Sequence, residues 1–191
     1  MQAIDLLLTR RSVKPQDLIE PAPDGVDLDR ILEAGIRVPD HGKLSPWRVQ
    51  VIRRQGQDVL GDLYAQLFVK EHGERASQAQ IEAERQRPKR SPLLLAVTAH
   101  PEREHPIPVL EQHHSNGAMC MNILNAAHAL GYAGNWVTGW ASRHPAVKQA
   151  LGHDEETEIV GFIHLGTAKE APEQRPRPDV AEIASEWTGQ A

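Results

Sequence analysis

The spacing of apolar residues along the 191-residue chain predicts helices and strands in alternation. Apolar positions recur three or four residues apart, as in amphipathic helices, near residues 4–8, 28–36 and 59–68. Residues 115–130 are apolar almost all round, which predicts a central helix that is buried on several sides. A shorter helix is predicted in "HPAVKQALG", where Pro145 suits a first helical turn and Gly152 a helix end. Strands are predicted in the apolar or alternating runs "WRVQVI", "PLLLAVTAH", "GYAGNWVTGW" and "EIVGFIHLGT".

This alternation of elements favours an α/β or α+β class, with one domain over residues 1–169. Residues 70–91 are mostly Lys, Glu, Arg and Gln, so they are expected to form either a solvated helix or a mobile flap. The C-terminal extension, residues 170–191, is rich in proline and therefore predicted to be extended. Because this extension contains the apolar residues Val180, Ile183 and Trp187, it also needs a surface to pack on. A neighbouring subunit is a candidate for that surface.

Composition and charge narrow the protein class. A net charge of -5 argues against nucleic acid as the main partner. No run approaches the roughly 20 apolar residues needed to cross a bilayer, and the first residues lack the pattern of a secretory signal. Cys120 is the only cysteine, which excludes an intrachain disulfide and favours a reducing compartment. A cytoplasmic protein without a nucleic-acid or membrane partner is therefore expected.

The common catalytic fingerprints are absent from the sequence. It contains no G-x-G-x-x-G or phosphate-binding P-loop, no H-E-x-x-H and no G-x-S-x-G. Ten histidines suggest a metal site. However, His113 and His114 are adjacent and diverge by about 100° on a helix, and His100 and His105 flank a proline-rich loop without an acidic partner. Most of the histidines are therefore expected at the surface, with no metal bound.

Three short stretches do carry candidate binding residues. In "TRRSVK", three cations and a hydroxyl lie together at a helix end, a grouping suited to phosphate; alternatively, the cations only complement the helix dipole. In "RVPDHGKLSPW", Arg37, His41 and Lys43 cluster around two prolines that stiffen the loop, or the segment is simply a rigid connector. In "GNWVTGW", the glycines permit close approach to a flat ligand, or the segment is a core strand between turns.

Together and in this order, these stretches resemble the FMN-dependent nitroreductase family, in particular its compact YdjA-type branch. The residues that carry the resemblance extend to about Lys169. They lie in "LLLTRRSVK", "ILEAGIRVPDHGKLSPWRVQVI", "EQHHS", "LGYAGNWVTGW" and "IVGFIHLGT".

The resemblance implies an α+β fold with a mainly antiparallel central sheet flanked by helices. It also implies an intertwined homodimer that shares two FMN molecules between its subunits. The phosphate and ribityl end would be held by Arg10, Arg11 and Ser12, and Lys14 would lie near the flavin N1/O2 edge. Arg37 and His41 would reach the same flavin from the partner chain. The isoalloxazine would be lined by backbone groups of Trp136, Val137 and Thr138.

The implied activity is that of an NAD(P)H:acceptor nitroreductase. NADH or NADPH would pass a hydride to flavin N5, and a nitroaromatic or quinone-like acceptor would then take its place, giving ping-pong kinetics. No side chain is expected to be catalytic, because the flavin carries the chemistry. Three alternatives stay open: an FMN-storage protein without turnover, a family member acting on a non-nitro substrate, and a hydrolase with a histidine-bound metal.

Overall fold

A computed structural model describes residues 2–189 and shows an antiparallel sheet covered by helices on both faces. The sheet has the order β2-β3-β5, and β4 and β1 follow one another along the far edge of β5. Every pairing between neighbouring strands is antiparallel. The strands are β1 (Leu18–Ile19), β2 (Trp47–Ile52), β3 (Leu93–Ala99), β4 (Ala133–Val137) and β5 (Glu158–Ala168).

The helices confirm most of the predicted segments. They are α1 (Ala3–Thr9), α2 (Gly25–Gly35), α3 (Arg54–His72), α4 (Gln78–Gln86), α5 (Val109–Ala129), α6 (Trp140–Arg143), α7 (Pro145–Ala150) and α8 (Val180–Ile183). The predicted start of α5 at Ser115 is wrong. The first turns of this helix bury Gln112, Ser115 and Asn116, which hydrogen-bond to the chain around them. Apolar spacing does not detect such turns.

The core lies on both faces of the sheet. On one face, α2 and α5 pack over β3 and β5; on the other face, α3 packs over the same strands. β3 is buried along its whole length, as its continuous apolar run predicted. The strand predicted from the alternation of Trp47, Val49 and Val51 is confirmed as β2, but these three side chains do not share one buried face. Trp47 joins the first cluster and Ile52 the second, whereas Val51 is 38% exposed at the edge of the sheet.

The charged segment over residues 70–91 is helical, which decides between the two sequence-based alternatives. Helix α4 starts with a capping box in which Ser77 and Gln80 bond reciprocally. Its end crosses α3 at Gly61, where a Cβ would overlap the Arg85 carbonyl oxygen. The absence of a side chain at Gly61 therefore lets the two helices meet at backbone distance.

The C-terminal extension returns along the N-terminal segment of its own chain. Arg11 Nε donates to Glu173 O at 2.9 Å, and Gln174 Nε2 donates to Thr9 O at 3.1 Å. Beyond these contacts, Val180, Ile183 and Trp187 are 70–83% exposed. The expected packing of this extension on a partner, and its separation from a domain over residues 1–169, stay predictions.

One ionisable side chain, His164, is buried in the middle of the sheet. It lies on β5, and its Nδ1 is 2.8 Å from Ser91 Oγ. Ser91 Oγ also lies 2.8 Å from Leu93 O, which can only accept, so the hydroxyl proton belongs to that contact. The imidazole therefore carries its proton on Nδ1 and leaves Nε2 as an acceptor. Burial, assisted by the charge of Arg90, lowers the pKa of His164 to about 4.

We expect this histidine to make the fold sensitive to mild acid. Because its pKa is lower in the folded state than in the unfolded chain, its contribution to stability is complete above about pH 6.5 and is lost as the pH falls towards 4. The loss amounts to about 2 kcal/mol of unfolding free energy between pH 7 and pH 5. Urea unfolding at both pH values measures it. His164→Gln cannot titrate, so its unfolding free energy should fall by about 2 kcal/mol less than that of the wild type over this pH range. Equal losses in the two proteins would contradict the lowered pKa of His164.

Candidate functional site

The cationic segment over residues 10–14 lies beside β4. Val13 N–H donates to Gly134 O at 3.2 Å, and the Val13 side chain is buried in a small cluster with Leu18 and Ala133. This anchor leaves the neighbouring Ser12 and Lys14 exposed on either side of it. Both line a surface cavity of about 390 Å³ that is closed on its other side by residues 169–173 of the C-terminal extension.

Arg10 has a guanidinium group that the chain does not satisfy. Its Nη2 lies 3.7 Å from Met121 Sδ, while Nε and Nη1 are buried and have no hydrogen-bond partner among the described residues. Burial lowers the pKa of Arg10, and the charges of Arg177 and Arg11 add to this effect. A buried, unpaired donor group among other cations is costly unless an anion binds there. The arrangement therefore fits a phosphate.

Arg177 was missed by the sequence reasoning. It belongs to the C-terminal extension, and its charge acts on Arg10 across the fold. The only sequence signal that could have revealed it is a second basic pair, Arg175 and Arg177, in "QRPRP". Because these residues are far from Arg10 in sequence, only the return of the extension along residues 9–11 reveals the cluster.

His128 is a second residue that the sequence reasoning missed. Its Nε2 lies 2.9 Å from Arg11 O, and its Nδ1 lies 2.8 Å from Leu124 O, so the ring links the cationic segment to α5. Burial lowers the pKa of His128, although the two carbonyl oxygens act in the opposite direction. The histidine thus fixes the backbone of Arg11.

The backbone of β4 offers an open edge next to this segment. The carbonyl of Gly134 points away from β5, towards Val13, and the backbone groups of Trp136 and Thr138 point the same way, because orientation alternates along a strand. Neither residue's backbone has a partner on that side among the described residues. Val137 instead packs its side chain against the core. This edge can bond to a flat polar ligand, and the role expected of residues 136–138 in lining a flavin ring stays a prediction.

The indole of Trp136 is held in place by a glycine on the next strand. Its Nε1 donates to Val160 O at 3.3 Å, and the ring passes over Gly161. Gly161 has a φ of 153° and lies at a bulge in β5, where the pairing with β3 shifts between Val97 and Thr98. A side chain at this position would overlap the indole, so the glycine fixes where Trp136 and the adjacent open edge lie.

The proline-enclosed loop is held by polar side chains of α5. Asn122 donates to Arg37 O at 3.0 Å, Ser115 to Pro39 O at 2.6 Å and Asn116 to Pro46 O at 3.2 Å. These bonds satisfy backbone carbonyls that the loop leaves open. They leave the side chains of Arg37 and His41 exposed. Of these two, His41 pairs with Glu111, its Nδ1 lying 2.7 Å from Oε2.

One chain does not bring the two sets of predicted residues into one cavity. The cavities lined by Arg10, Arg11, Ser12 and Lys14 include neither Arg37 nor His41. Arg10 contacts α5 at Met121 and His41 contacts it at Glu111. Those two positions are about 15 Å apart along the helix axis, at 1.5 Å per residue. The two sets of residues are therefore separate from one another within one chain.

Two other features of the described residues bear on function. No group of three or more His, Cys, Asp or Glu side chains within residues 2–189 is arranged to hold a metal ion. In the same part of the chain, every helix is too short or too polar to cross a membrane.

Comparison with known proteins identifies the family. Residues 7–167 match the Nitroreductase family. YdjA of Escherichia coli K12, provisionally named an NAD(P)H nitroreductase, is 38% identical over 167 residues, which cover 87% of this chain and 88% of YdjA. A nitroreductase-like protein from Bacillus cereus has a similar structure, with a TM-score of 0.82, 24% identity and coverage of 99% and 97% of the two chains.

A third protein, provisionally called a nitroreductase, comes from Desulfovibrio desulfuricans and was solved in complex with FMN. It has a TM-score of 0.73 and 23% identity, covering 98% of this chain and 97% of its own. The chain therefore belongs to the nitroreductase family and is an oxidoreductase by membership. The family resemblance and the α+β fold class are confirmed.

Proposed function

We propose that the protein is an FMN-dependent oxidoreductase that takes electrons from NADH or NADPH and passes them to nitroaromatic or quinone-like acceptors. Its relative YdjA is named for NAD(P)H nitroreductase activity, and the similar D. desulfuricans structure holds FMN. The observation that carries the proposal is the buried, unsatisfied guanidinium of Arg10 beside Arg11 and Arg177. The protein is expected to act in the cytoplasm.

Each group of residues has a separate task in this proposal. Arg10, Arg11 and Ser12 bind the phosphate and ribityl end, with Arg177 as an additional cation. The open edge of β4 at Trp136–Thr138 binds the ring system, and Lys14 contributes positive charge beside it. When bound, FMN supplies two-electron transfer between the nicotinamide and the acceptor. The protein positions both and stabilises the negative charge that builds up on the reduced ring.

The proposed site is shared between two copies of the chain, with Arg37 and His41 supplied by the partner. Two faces that a single chain leaves exposed support this arrangement. One is on α1, where Ile4, Leu7 and Leu8 are 55–75% exposed, and the other is the apolar side of the C-terminal extension. Apolar faces of this kind are typical of surfaces that become buried in an oligomer.

Mixed dimers test the shared site. In a dimer of one Arg10→Met chain and one Arg37→Ala/His41→Ala chain, a shared arrangement places all substitutions in one site and leaves the other wild type. We therefore expect one tightly bound FMN per mixed dimer, that is, half of the sites occupied with normal affinity. If each chain builds its own site, every site carries a defect, and no site of normal affinity should be found by fluorescence titration.

The activity itself is tested by reducing bound flavin. Purified protein reconstituted with FMN should lose its absorbance near 450 nm when NADH or NADPH is added without oxygen, and a nitroaromatic or quinone should restore it. A protein that binds FMN and stays yellow with both nicotinamides is the FMN-storage alternative. Rapid reduction without reoxidation by any nitro compound indicates a family member with a non-nitro substrate.

A further inference from the structure

A small cavity beneath the open edge of β4 is lined by polar side chains that have no task in the proposed function. Its volume is about 140 Å³, and it lies below Val137 and Thr138, beside Pro15. Three basic side chains line it: Arg87, Arg90 and His164. The rest of the lining is largely apolar and comes from the α3 side of the sheet. The cavity thus adjoins the strand edge proposed to hold the flavin ring.

Two of the basic groups are free to bind a ligand. Arg87 is already paired with Glu84, through contacts of 2.7 and 2.5 Å, and Glu84 also accepts from Trp140 Nε1 at 3.0 Å. Arg90 forms no ion pair with the described residues, and His164 Nε2 has no hydrogen-bond partner among them. The cavity therefore offers one neutral acceptor nitrogen and one cationic donor.

The acceptor is held rigidly. His164 Nδ1 donates to Ser91 Oγ, Ser91 Oγ donates to Leu93 O, and Ser91 O accepts from buried Gln57 Nε2 at 3.0 Å. This chain of bonds fixes both the tautomer and the orientation of the imidazole. Because Nδ1 is engaged by Ser91, the nitrogen that the neutral ring can offer to a ligand is Nε2, and His164 is one of the residues that line the cavity.

This combination selects a ligand edge with an N–H next to a carbonyl oxygen. The N–H bonds to His164 Nε2, and the carbonyl oxygen bonds to the Arg90 guanidinium, whose charge favours an oxygen that becomes more negative. A cyclic imide has this pattern, and the pyrimidine ring of a flavin presents it as O2, N3–H and O4. The volume suits one such edge but not a complete three-ring system.

We propose that this cavity receives the pyrimidine edge of the flavin, with His164 accepting the N3–H and Arg90 bonding a neighbouring carbonyl oxygen. The assignment rests on the proposed function and extends it with two positioning residues from outside the sequence motifs. It also gives the protein a means of favouring the reduced flavin, because Arg90 stabilises negative charge that forms on the pyrimidine ring.

The test compares FMN with 3-methyl-FMN, which lacks the N3–H, by fluorescence titration of the apoprotein. His164→Leu should weaken FMN binding about tenfold and leave 3-methyl-FMN binding within about twofold, because only FMN loses a hydrogen bond. His164→Gln, which keeps an acceptor oxygen, should restore most of the preference for FMN. Urea unfolding of each apoprotein checks that the variants fold.

Arg90 is tested through the reduction potential of the bound flavin. Arg90→Met should shift the midpoint potential to a more negative value, because the reduced ring loses a cation. The matched control is Arg85→Met, since Arg85 pairs with Asp62 and does not line the cavity. The inference is overturned if His164→Leu weakens both ligands equally, or if the Arg90 and Arg85 variants have the same potential. Failure of wild-type protein to bind FMN would instead refute the proposed function.

Discussion

Replacing Arg10 by methionine is expected to weaken FMN binding about 100-fold, the value of two lost charge-assisted hydrogen bonds to a phosphate. The structure gives the reason. Two nitrogens of the Arg10 guanidinium are buried and unsatisfied within the described chain, and Arg11 and Arg177 contribute positive charge around them. Methionine keeps most of the side-chain volume, so the loss comes from the bonds to the anion and not from a cavity.

Titration of FMN fluorescence at fixed ionic strength measures this effect. Riboflavin, which has no phosphate, serves as the ligand control, and its affinity should change by no more than about twofold. Arg75→Met, at an exposed position between α3 and α4, is the matched control for loss of one positive charge. Equal weakening of FMN and riboflavin by Arg10→Met would show that Arg10 does not bind the phosphate.

A Gly161→Ala substitution is expected to lower the free energy of unfolding by about 2–4 kcal/mol and to weaken FMN binding as well. The new Cβ would overlap Trp136 Nε1 and lie 2.8 Å from Val137 O, at a backbone φ of 153°. The strand that carries Trp136 and Val137 must then move. Because the same strand forms the open edge of the site, stability and ligand affinity should fall together.

Gly152→Ala separates the two causes of this loss. Gly152 also has a positive φ, of 82°, but a Cβ there meets no atom within 4 Å. The Gly152→Ala substitution should therefore lower the free energy of unfolding by only about 1 kcal/mol, from backbone strain, and leave the affinity for FMN unchanged. Urea unfolding and FMN titration of both variants provide the comparison, and similar results for the two glycines would refute the role of Gly161 in placing Trp136.

Local sequence patterns predicted most elements of the fold for a simple physical reason. Apolar periodicity reports which face of an element is buried, and this was sufficient for α2, α3, β3 and β5. It did not predict β1, because two residues are too few to show a period. It also misplaced the start of α5, where buried polar residues replace the apolar stripe.

The candidate site was predictable only where its residues are adjacent in the chain. The cationic segment at 10–14 and the strand at 136–138 are contiguous motifs, and the structure places them side by side through the bond from Val13 to Gly134. His128 and His164 have no local signal, and the basic pair that contains Arg177 does not show which part of the fold it meets. Their positions depend on how the extension folds back, how α5 packs and which face of β5 is covered.

The sequence by itself determined the order of helices and strands, the basic segment, the glycine-flanked strand and the family. These properties depend on side-chain chemistry and spacing over a few residues. Only the tertiary structure decided which cations cluster around Arg10, which backbone edge stays open and where His164 points. Those features arise from contacts between residues far apart in sequence, and such contacts are fixed by packing of the whole chain.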